Sequence, residues 1–213
     1  MKKLFLILLS LSFFTYTACK KRDTDNISKV VEVSHPDIKL NGEKFISLRI
    51  GESYDDPGAV ATDDITGAKS NIEPDYSNLD PSQPGLYYTL FSAKNSNGYI
   101  SYSVRYFAVT EYDDAADLSG TYARTANGVE VNVTKVARAL YRNDDMGGAG
   151  INDNIYFAVI NDSTISVGPQ FSESLGTEIG TANEMLSLEE PYQFQYSLDA
   201  PGYGTAVRVF VKQ

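Results

Sequence analysis

Residues 86–110, LYYTLFSAKNSNGYISYSVRYFAVT, carry the strongest fold signal in this chain. Side chains from Leu86 to Ala93 alternate between two faces, which is typical of a β-strand. Asn95 to Gly98 has the composition of a tight turn, because Asn and Gly tolerate positive φ. Tyr99 to Thr110 is a second, longer strand-like run. The segment therefore predicts two antiparallel strands joined by a short turn.

The second of these strands changes the phase of its apolar residues. Apolar side chains occupy even positions from 100 to 104 and odd positions from 107 to 109. Since side chains in a strand alternate with period two, such a shift predicts a bulge or bend. We place it near Arg105 and Tyr106.

The rest of the chain also favours strands. Valines alternate with polar residues over 129–134 and again over 207–211, and further strand-like runs cover 155–160, 163–167 and 192–198. No segment after residue 19 has helical periodicity over about ten residues. The sequence therefore predicts an all-β protein.

Residues 111–118, EYDDAADL, are acidic and without apolar periodicity. Such a segment is typical of a linker between domains. We therefore predict a first β domain over residues 28–111 and a second, antiparallel β domain over residues 119–213, built as a sandwich or a small barrel.

Five short motifs stand in a fixed order between residues 36 and 110. They are Gly51-Glu52-Ser53-Tyr54, Asp56-Pro57-Gly58, Ala61-Thr62-Asp63-Asp64, Pro84-Gly85-Leu86-Tyr87 and Ala93-Lys94-Asn95-Ser96-Asn97-Gly98. The set resembles a bacterial immunoglobulin-like family, the repeat also found in a pesticidal crystal protein. Asn95 replaces the usual Asp and Tyr99 the usual Asn. The resemblance implies a β-sandwich that serves as a spacer or adhesion-like module, without catalysis, with Tyr87, Phe91 and Ala93 facing its core.

The C-terminal part is similar to another family. Its motifs are Leu118-Ser119-Gly120-Thr121-Tyr122, Thr134-Lys135-Val136, Leu140-Tyr141 and the closing strand Val207 to Lys212. They resemble the C-terminal domain of lipoproteins encoded beside starch-utilisation-type outer-membrane transporters. The resemblance implies a small antiparallel β domain without an assigned activity.

The N-terminus has the order of a secretory signal. Lys2 and Lys3 precede an apolar run over Leu4 to Phe14, and small residues precede Cys19. The run is shorter than the ~20 residues of a membrane-spanning helix. We predict a signal peptide over residues 1–18 and a charged, flexible tether over residues 19–27. An ordinary signal peptide with a chance cysteine is the alternative.

Tyr16-Thr17-Ala18-Cys19 resembles the lipobox of bacterial lipoproteins, in a form similar to those of Bacteroidetes-type bacteria. The resemblance implies cleavage before Cys19 and lipid attachment to its sulfur. Lys20 is not the Asp that retains enteric lipoproteins at the inner membrane. The implied location is the outer membrane, on its periplasmic face or at the cell surface.

Composition excludes several functions. Loss of residues 1–18 would remove two lysines and no acid, so the formal net charge of −10 would become −12. Nucleic acid is therefore excluded as a partner, since its phosphates require Lys and Arg. With one His, one Cys and no recognised catalytic or nucleotide-binding motif, we predict that the chain is not an enzyme and has no cofactor. A glycan hydrolase with an acidic pair is the alternative.

Two tyrosines are candidates for contact with a ligand. Tyr141 lies next to Arg142 and the Gly-rich loop that contains Asp144 and Asp145, and Tyr203 lies between two glycines. Sugars stack on exposed rings while polar groups bind their hydroxyls. The alternative is that both tyrosines pack in the core.

The acidic loops around Asp144 and Asp145 and around residues 55–64 offer oxygen atoms that calcium prefers, but neither has EF-hand spacing. Solvated turns are the alternative, and we predict no metal site. The sequence as a whole predicts a lipid-anchored, non-catalytic accessory protein that binds a glycan or an outer-membrane transporter. A structural or adhesion-type surface protein without a small ligand is the alternative.

Overall fold

The regular elements of the described chain are all strands. The computed structural model describes residues 33–113 and 115–213, so the predictions for the signal peptide, the tether and Cys19 lie outside the described residues. In the described part, the all-β prediction is confirmed, and no helix is present that could cross a membrane. The strands are β1 (Asp37–Leu40), β2 (Phe45–Leu48), β3 (Ala59–Thr62), β4 (Lys69–Ile72), β5 (Gly85–Lys94), β6 (Ile100–Val109), β7 (Gly120–Arg124), β8 (Glu130–Ala137), β9 (Leu140–Asn143), β10 (Ile155–Asn161), β11 (Thr164–Ser166), β12 (Gln170–Ser172), β13 (Thr177–Ser187), β14 (Gln193–Asp199) and β15 (Arg208–Lys212).

The first six strands form two three-stranded sheets. One sheet has the order β1-β3-β4 and is antiparallel, and the other has the order β2-β6-β5. In the second sheet, β2 runs parallel to β6 and β5 runs antiparallel to it. Leu48, Phe107, Val109 and Phe91 are buried in this part of the chain. The prediction of an Ig-like sandwich is confirmed.

A buried ion pair joins β6 to the segment that precedes β3. Arg105 is fully buried, and its guanidinium pairs with the carboxylate of Asp56. The same guanidinium donates to the backbone carbonyl of Glu43 at 2.7 Å, while Asp56 accepts from the backbone N–H of Gly58 at 2.8 Å. Removal of one partner from a buried ion pair typically costs about 3–5 kcal/mol. The pair therefore fixes the Asp56-Pro57-Gly58 turn against the second sheet.

Strand β6 crosses two cores without a bulge. Its pairing with β5 is uninterrupted over the full length of both strands, so the predicted bulge near Arg105 and Tyr106 is wrong. Every residue from Val104 to Val109 is buried. Odd positions face the interior of the sandwich, and even positions face the second part of the chain. The phase shift in the sequence reflects a strand whose two faces are both covered.

Strands β7 to β15 form a nine-stranded antiparallel sheet with the order β11-β10-β9-β8-β7-β15-β14-β13-β12. The sheet curls, because the backbone N–H of Leu186 in β13 donates to the carbonyl of Ser163, beside β11, at 3.0 Å. The second domain is thus antiparallel, as predicted, and has the form of a half-barrel.

Aromatic rings fill the inside of the half-barrel. The fully buried rings are Tyr122, Tyr141, Phe157, Phe194, Tyr196 and Phe210. Phe194 lies at the centre, with ring centroids 5.1 Å from Phe157 and 5.0 Å from Phe210. Buried aromatic side chains bring large apolar areas out of water, and offset ring pairs add about 0.5–1.5 kcal/mol each. The interior is a packed core.

The two parts share a second hydrophobic core, which we call the junction core. Its fully enclosed members are Leu86, Tyr88, Val104, Tyr106 and Ala108 from β5 and β6, with Leu140, Tyr156, Ala158 and Phe171 from β9, β10 and β12. The Tyr106 and Tyr156 rings approach to 4.1 Å between centroids. The hydroxyl of Tyr106 donates to the backbone carbonyl of Phe171 at 3.0 Å. The outer face of one sheet thus packs on the outer face of the other.

Arg138, between β8 and β9, ties the junction at its polar rim. Its guanidinium donates to the backbone carbonyls of Leu48 at 3.2 Å and Thr110 at 3.1 Å, and also to that of Tyr112. The carbonyl of Arg138 accepts from the hydroxyl of Ser47 at 2.6 Å. By their contacts, residues 34–213 form one compact unit. The predicted linker at residues 111–118 stays a prediction.

We predict that Tyr106→Ala lowers the free energy of unfolding by about 3–5 kcal/mol, because it opens a cavity in the junction core. Tyr106→Phe keeps the ring and loses only the bond to Phe171, so its cost should be about 1 kcal/mol. Urea unfolding followed by circular dichroism measures both. Equal losses in the two variants would show that the ring is not packed as described.

Candidate functional site

Tyr141 is not a surface platform. Its ring is fully buried in the half-barrel and stacks on Phe157 with a centroid distance of 5.5 Å. Its hydroxyl donates to the backbone carbonyl of Ala116 at 3.4 Å. Strand alternation explains the error, because Tyr141 points inside while Leu140 and Arg142 point outside. The prediction that Tyr141 stacks on a ligand is wrong.

Asp145 is a loop anchor. The residue is buried, with 4% exposure. Its carboxylate accepts hydrogen bonds from the backbone N–H groups of Gly147 at 3.0 Å, Ala149 at 2.8 Å and Gly150 at 2.6 Å. Asp144 accepts from the backbone N–H of Asn132 at 2.7 Å. Asp145 is buried and its carboxylate holds the loop, so it is not free to contact a ligand. Asp144 remains partly exposed, and its contact with a ligand stays a prediction.

The hydrogen bonds of Asp144 and Asp145 also concern the question of a calcium site in this loop. Across residues 33–113 and 115–213, no group of three or more His, Cys, Asp or Glu side chains is arranged to hold a metal ion. The Asp and Asn residues of the Gly-rich loop satisfy backbone N–H groups that the tight turns leave unpaired, as Asx turns do.

Tyr203 braces the Gly-rich loop from the outside. The half-buried ring lies against Gly147, where an added Cβ would approach a ring carbon to 2.7 Å. Its hydroxyl donates to the carboxylate of Asp153. Burial, together with this bond to Asp153, raises the pKa of Tyr203 above its ordinary value. Because the ring packs on the loop, the structure does not support Tyr203 as a free stacking surface.

Arg142 lies on the face of its strand that is turned away from the half-barrel interior. It projects from the outer face of β9, opposite Tyr156 in the neighbouring strand. Its Nε is buried without a hydrogen-bond partner among the described residues. Strand alternation thus places Arg142 on the face opposite Tyr141, next to Tyr156 of the junction core.

A polar cleft opens at the edge of the junction core. It is a cavity of about 60 Å³ lined by Tyr106, Asn152, Asp153, Asn154, Tyr156, Ser172, Glu173 and Ser174. A water molecule takes about 30 Å³ in the liquid, so the cavity holds one or two waters or a single hydroxyl group. Both parts of the chain supply its walls, and clefts between packed parts are common binding sites. We call this the junction cleft.

An exposed aromatic ring lies on β6, the strand that supplies Tyr106 to the wall of the junction cleft. Tyr102, 37% exposed, follows the same face of β6 as Val104 and Tyr106. Its ring packs on Phe171 with a centroid distance of 4.9 Å. One side of the Tyr102 ring is therefore supported, and the rest of the side chain remains open to solvent.

Glu173, in the wall of the junction cleft, forms an ion pair with Lys44. The carboxylate of Glu173 accepts from the backbone N–H of Val104 at 3.2 Å and from the ammonium of Lys44 at 2.8 Å. Both side chains remain about one-third exposed. These two bonds hold Glu173 in position, and each carboxylate oxygen keeps a second lone pair that can accept from a hydroxyl group of a ligand.

The surroundings of the cleft change the pKa of Tyr156. Burial, with a smaller contribution from the carboxylate of Glu173, raises the pKa of Tyr156 to about 12, and the Arg142 guanidinium opposes this shift. The neutral phenol is thus the form that the folded chain favours. Tyr156 can therefore donate or accept a hydrogen bond at neutral pH.

Sequence reasoning missed Tyr102, Glu173 and Lys44. The phase shift in β6 was the signal that could have found Tyr102. It indicates that both faces of the strand are covered, and Tyr102 lies at the edge of the second covered face. Nothing in the local sequence of Glu173 or Lys44 indicates that they meet, because they lie far apart in the chain.

The raised pKa of Tyr156 predicts a loss of stability in alkali. The unfolded phenol ionises near pH 10, whereas the folded phenol ionises at about 12. The stabilisation is therefore complete below about pH 10 and is lost as the pH rises toward about 12. Between these pH values, Tyr156→Phe should lose less free energy of unfolding than the unaltered chain. Urea unfolding at about pH 9 and 11 tests this, and parallel losses in both proteins would contradict it.

Comparison with known proteins identifies the first part of the chain. Residues 38–109 match the family described as Bacterial surface protein, Ig-like domain. No curated protein matches the chain.

Two solved structures are similar to the chain. A lipoprotein from Bacteroides thetaiotaomicron is 21% identical with a TM-score of 0.38, and the match covers 84% of this chain and 100% of that one. A structure of CBM51-2 in complex with GlcNAc and INT domains from Clostridium perfringens ZmpB is 17% identical with a TM-score of 0.27, and the match covers 76% of this chain and 29% of that one. At TM-scores below 0.5, neither likeness bears on the ligand of this chain. The family match confirms the predicted resemblance of residues 38–109 to a bacterial immunoglobulin-like domain.

Proposed function

We propose that this chain is a lipid-anchored, non-catalytic surface protein that binds glycans at the junction cleft. The observation that carries the proposal is the exposed Tyr102 ring, which is supported by Phe171, the residue before Ser172 in the wall of the polar cleft. A sugar ring presents an apolar face and a rim of hydroxyl groups. The junction cleft and its border offer both kinds of contact.

The size of the junction cleft limits how a glycan binds. A cavity of about 60 Å³ is too small for a sugar ring. The ring would therefore lie on Tyr102 at the surface and direct one hydroxyl group toward Glu173 and Asn154. Such a shallow site favours an extended glycan that touches the protein with one or two residues, and it favours modest affinity.

The arrangement favours binding without catalysis. Glycoside hydrolysis needs two carboxyl groups about 5–10 Å apart, of which one must act as an acid. Glu173 already holds the ammonium of Lys44 and the backbone N–H of Val104. Asp153 accepts from the hydroxyl of Tyr203. The acids beside the cleft are engaged in holding the structure.

We predict that Tyr102→Ala weakens glycan binding about 5- to 13-fold, because aromatic packing contributes on the order of 1–1.5 kcal/mol. Tyr76→Ala is the matched control, since Tyr76 is a similarly exposed tyrosine (43%) that does not line the cleft. A glycan array with the purified chain would identify ligands, and titration calorimetry would compare the variants. No binding to any glycan, or equal binding by both variants, would refute the proposal.

The anchor has its own test. Cys19→Ala should abolish incorporation of labelled fatty acid and move the protein from the detergent phase to the aqueous phase in a Triton X-114 partition. The acyl chains each contribute about 0.8 kcal/mol per buried methylene, so their loss should release the protein from membranes. Lys20→Ala, next to the cysteine, is the control and should retain the label. Persistent labelling of Cys19→Ala would contradict the proposed anchor.

A further inference from the structure

Strand β4 is a free edge. It pairs with β3 on one side. Among the described residues, no strand pairs with Lys69–Ile72 on the other side, and the chain is bridged to β5 beyond β4, at Asp75 and Leu90. The backbone N–H of Asp63 donates to the carbonyl of Ala68 at 2.8 Å, and hydrogen-bonded pairs alternate along an antiparallel ladder. Lys69, Asn71 and Glu73 therefore direct their backbone N–H and C=O groups away from β3.

These outward groups have no hydrogen-bond partner among the described residues. Beside them lies an open groove of about 520 Å³ between β4 and the end of β5. Pro36, Ala61 and Ala93 contribute only small apolar side chains to the walls of the groove. The groove leaves room for one more strand along β4.

The charges of this edge are self-complementary. Lys69 and Glu73 are exposed and lie two residues before and two residues after Asn71. If a second β4 pairs antiparallel and is centred on Asn71, Lys69 of each copy stands opposite Glu73 of the other. Opposite charges on paired strands stabilise a sheet, and like charges destabilise it.

We propose that β4 is a dimerisation edge, on which a second copy of this chain adds its own β4 antiparallel with Asn71 at the two-fold axis. The β1-β3-β4 sheet of one copy then joins the β1-β3-β4 sheet of the other copy into one continuous sheet. Such an interface is isologous, since each copy presents the same edge to the other. This inference concerns the Ig-like domain and is independent of glycan binding at the junction cleft.

The charges on β4 determine the register in which two copies of the strand can pair. A lysine on an edge strand normally discourages pairing, and here Glu73 offsets it at one register. The ion pairs lie on the solvent face, so they contribute little and weaken with salt. Backbone hydrogen bonds must therefore supply most of the affinity, while the charges select the register. The interface is small, so we expect dissociation in the micromolar range or weaker.

Cysteine cross-linking tests the register. Cα atoms in a hydrogen-bonded antiparallel pair are about 5.5 Å apart, within the range that a disulfide spans. In full-length chain carrying Cys19→Ser, Asn71→Cys should therefore oxidise to a covalent dimer. Ser70→Cys is the matched control, because the two copies of residue 70 lie on a diagonal about 7–8 Å apart. We expect dimer to form at least about tenfold faster with Asn71→Cys, and equal rates would overturn the proposal.

Charge exchange provides an independent test. Lys69→Glu and Glu73→Lys should each weaken the dimer at low salt, and the two changes together should restore it. Sedimentation equilibrium measures association, and circular dichroism checks that each variant folds. A double variant that does not recover would overturn the proposed register. A chain that stays monomeric throughout would overturn the dimer and leave the edge for a strand of another protein.

Discussion

The contact between the Tyr106 and Tyr156 rings, 4.1 Å apart, lies at the centre of the junction core on which the arrangement of both parts depends. The small sandwich contributes few fully buried side chains between its own sheets. Its second sheet gains a further apolar layer by packing its outer face on the half-barrel. Since small domains bury a low fraction of their surface, this shared layer is a substantial part of the stability of the sandwich.

The junction core also explains where a binding site can form. The half-barrel is filled by stacked rings, which leaves no space inside it for a ligand. The Gly-rich loop is held by Asp145 and Tyr203, so its polar side chains are used internally. At the rim of the junction, in contrast, Tyr102 stays partly exposed beside polar side chains from the other part. Packing of the two parts therefore creates the junction cleft.

The sequence was informative where the physics is local. Alternation in residues 86–93 and the Asn-rich turn after them predict the β5–β6 pair that the structure contains, and the ordered Gly, Pro and Asp motifs predict the Ig-like sandwich. Contacts between distant residues could not be predicted. The burial of Tyr141 depends on Phe157 across the sheet, and the second apolar face of β6 depends on strands 50 residues later. A phase shift within one strand should therefore be examined as a sign of two buried faces as well as of a bulge.

Native-state hydrogen exchange tests the shared core most directly. If the junction core couples the two parts, backbone N–H groups in β6 over residues 104–109 and in β10 over residues 155–159 should exchange with the same free energy of opening, equal to that of global unfolding. Urea should lower both values with the same slope. Exchange of β6 at a lower free energy, while β10 remains protected, would show that the sandwich opens on its own and would contradict the account.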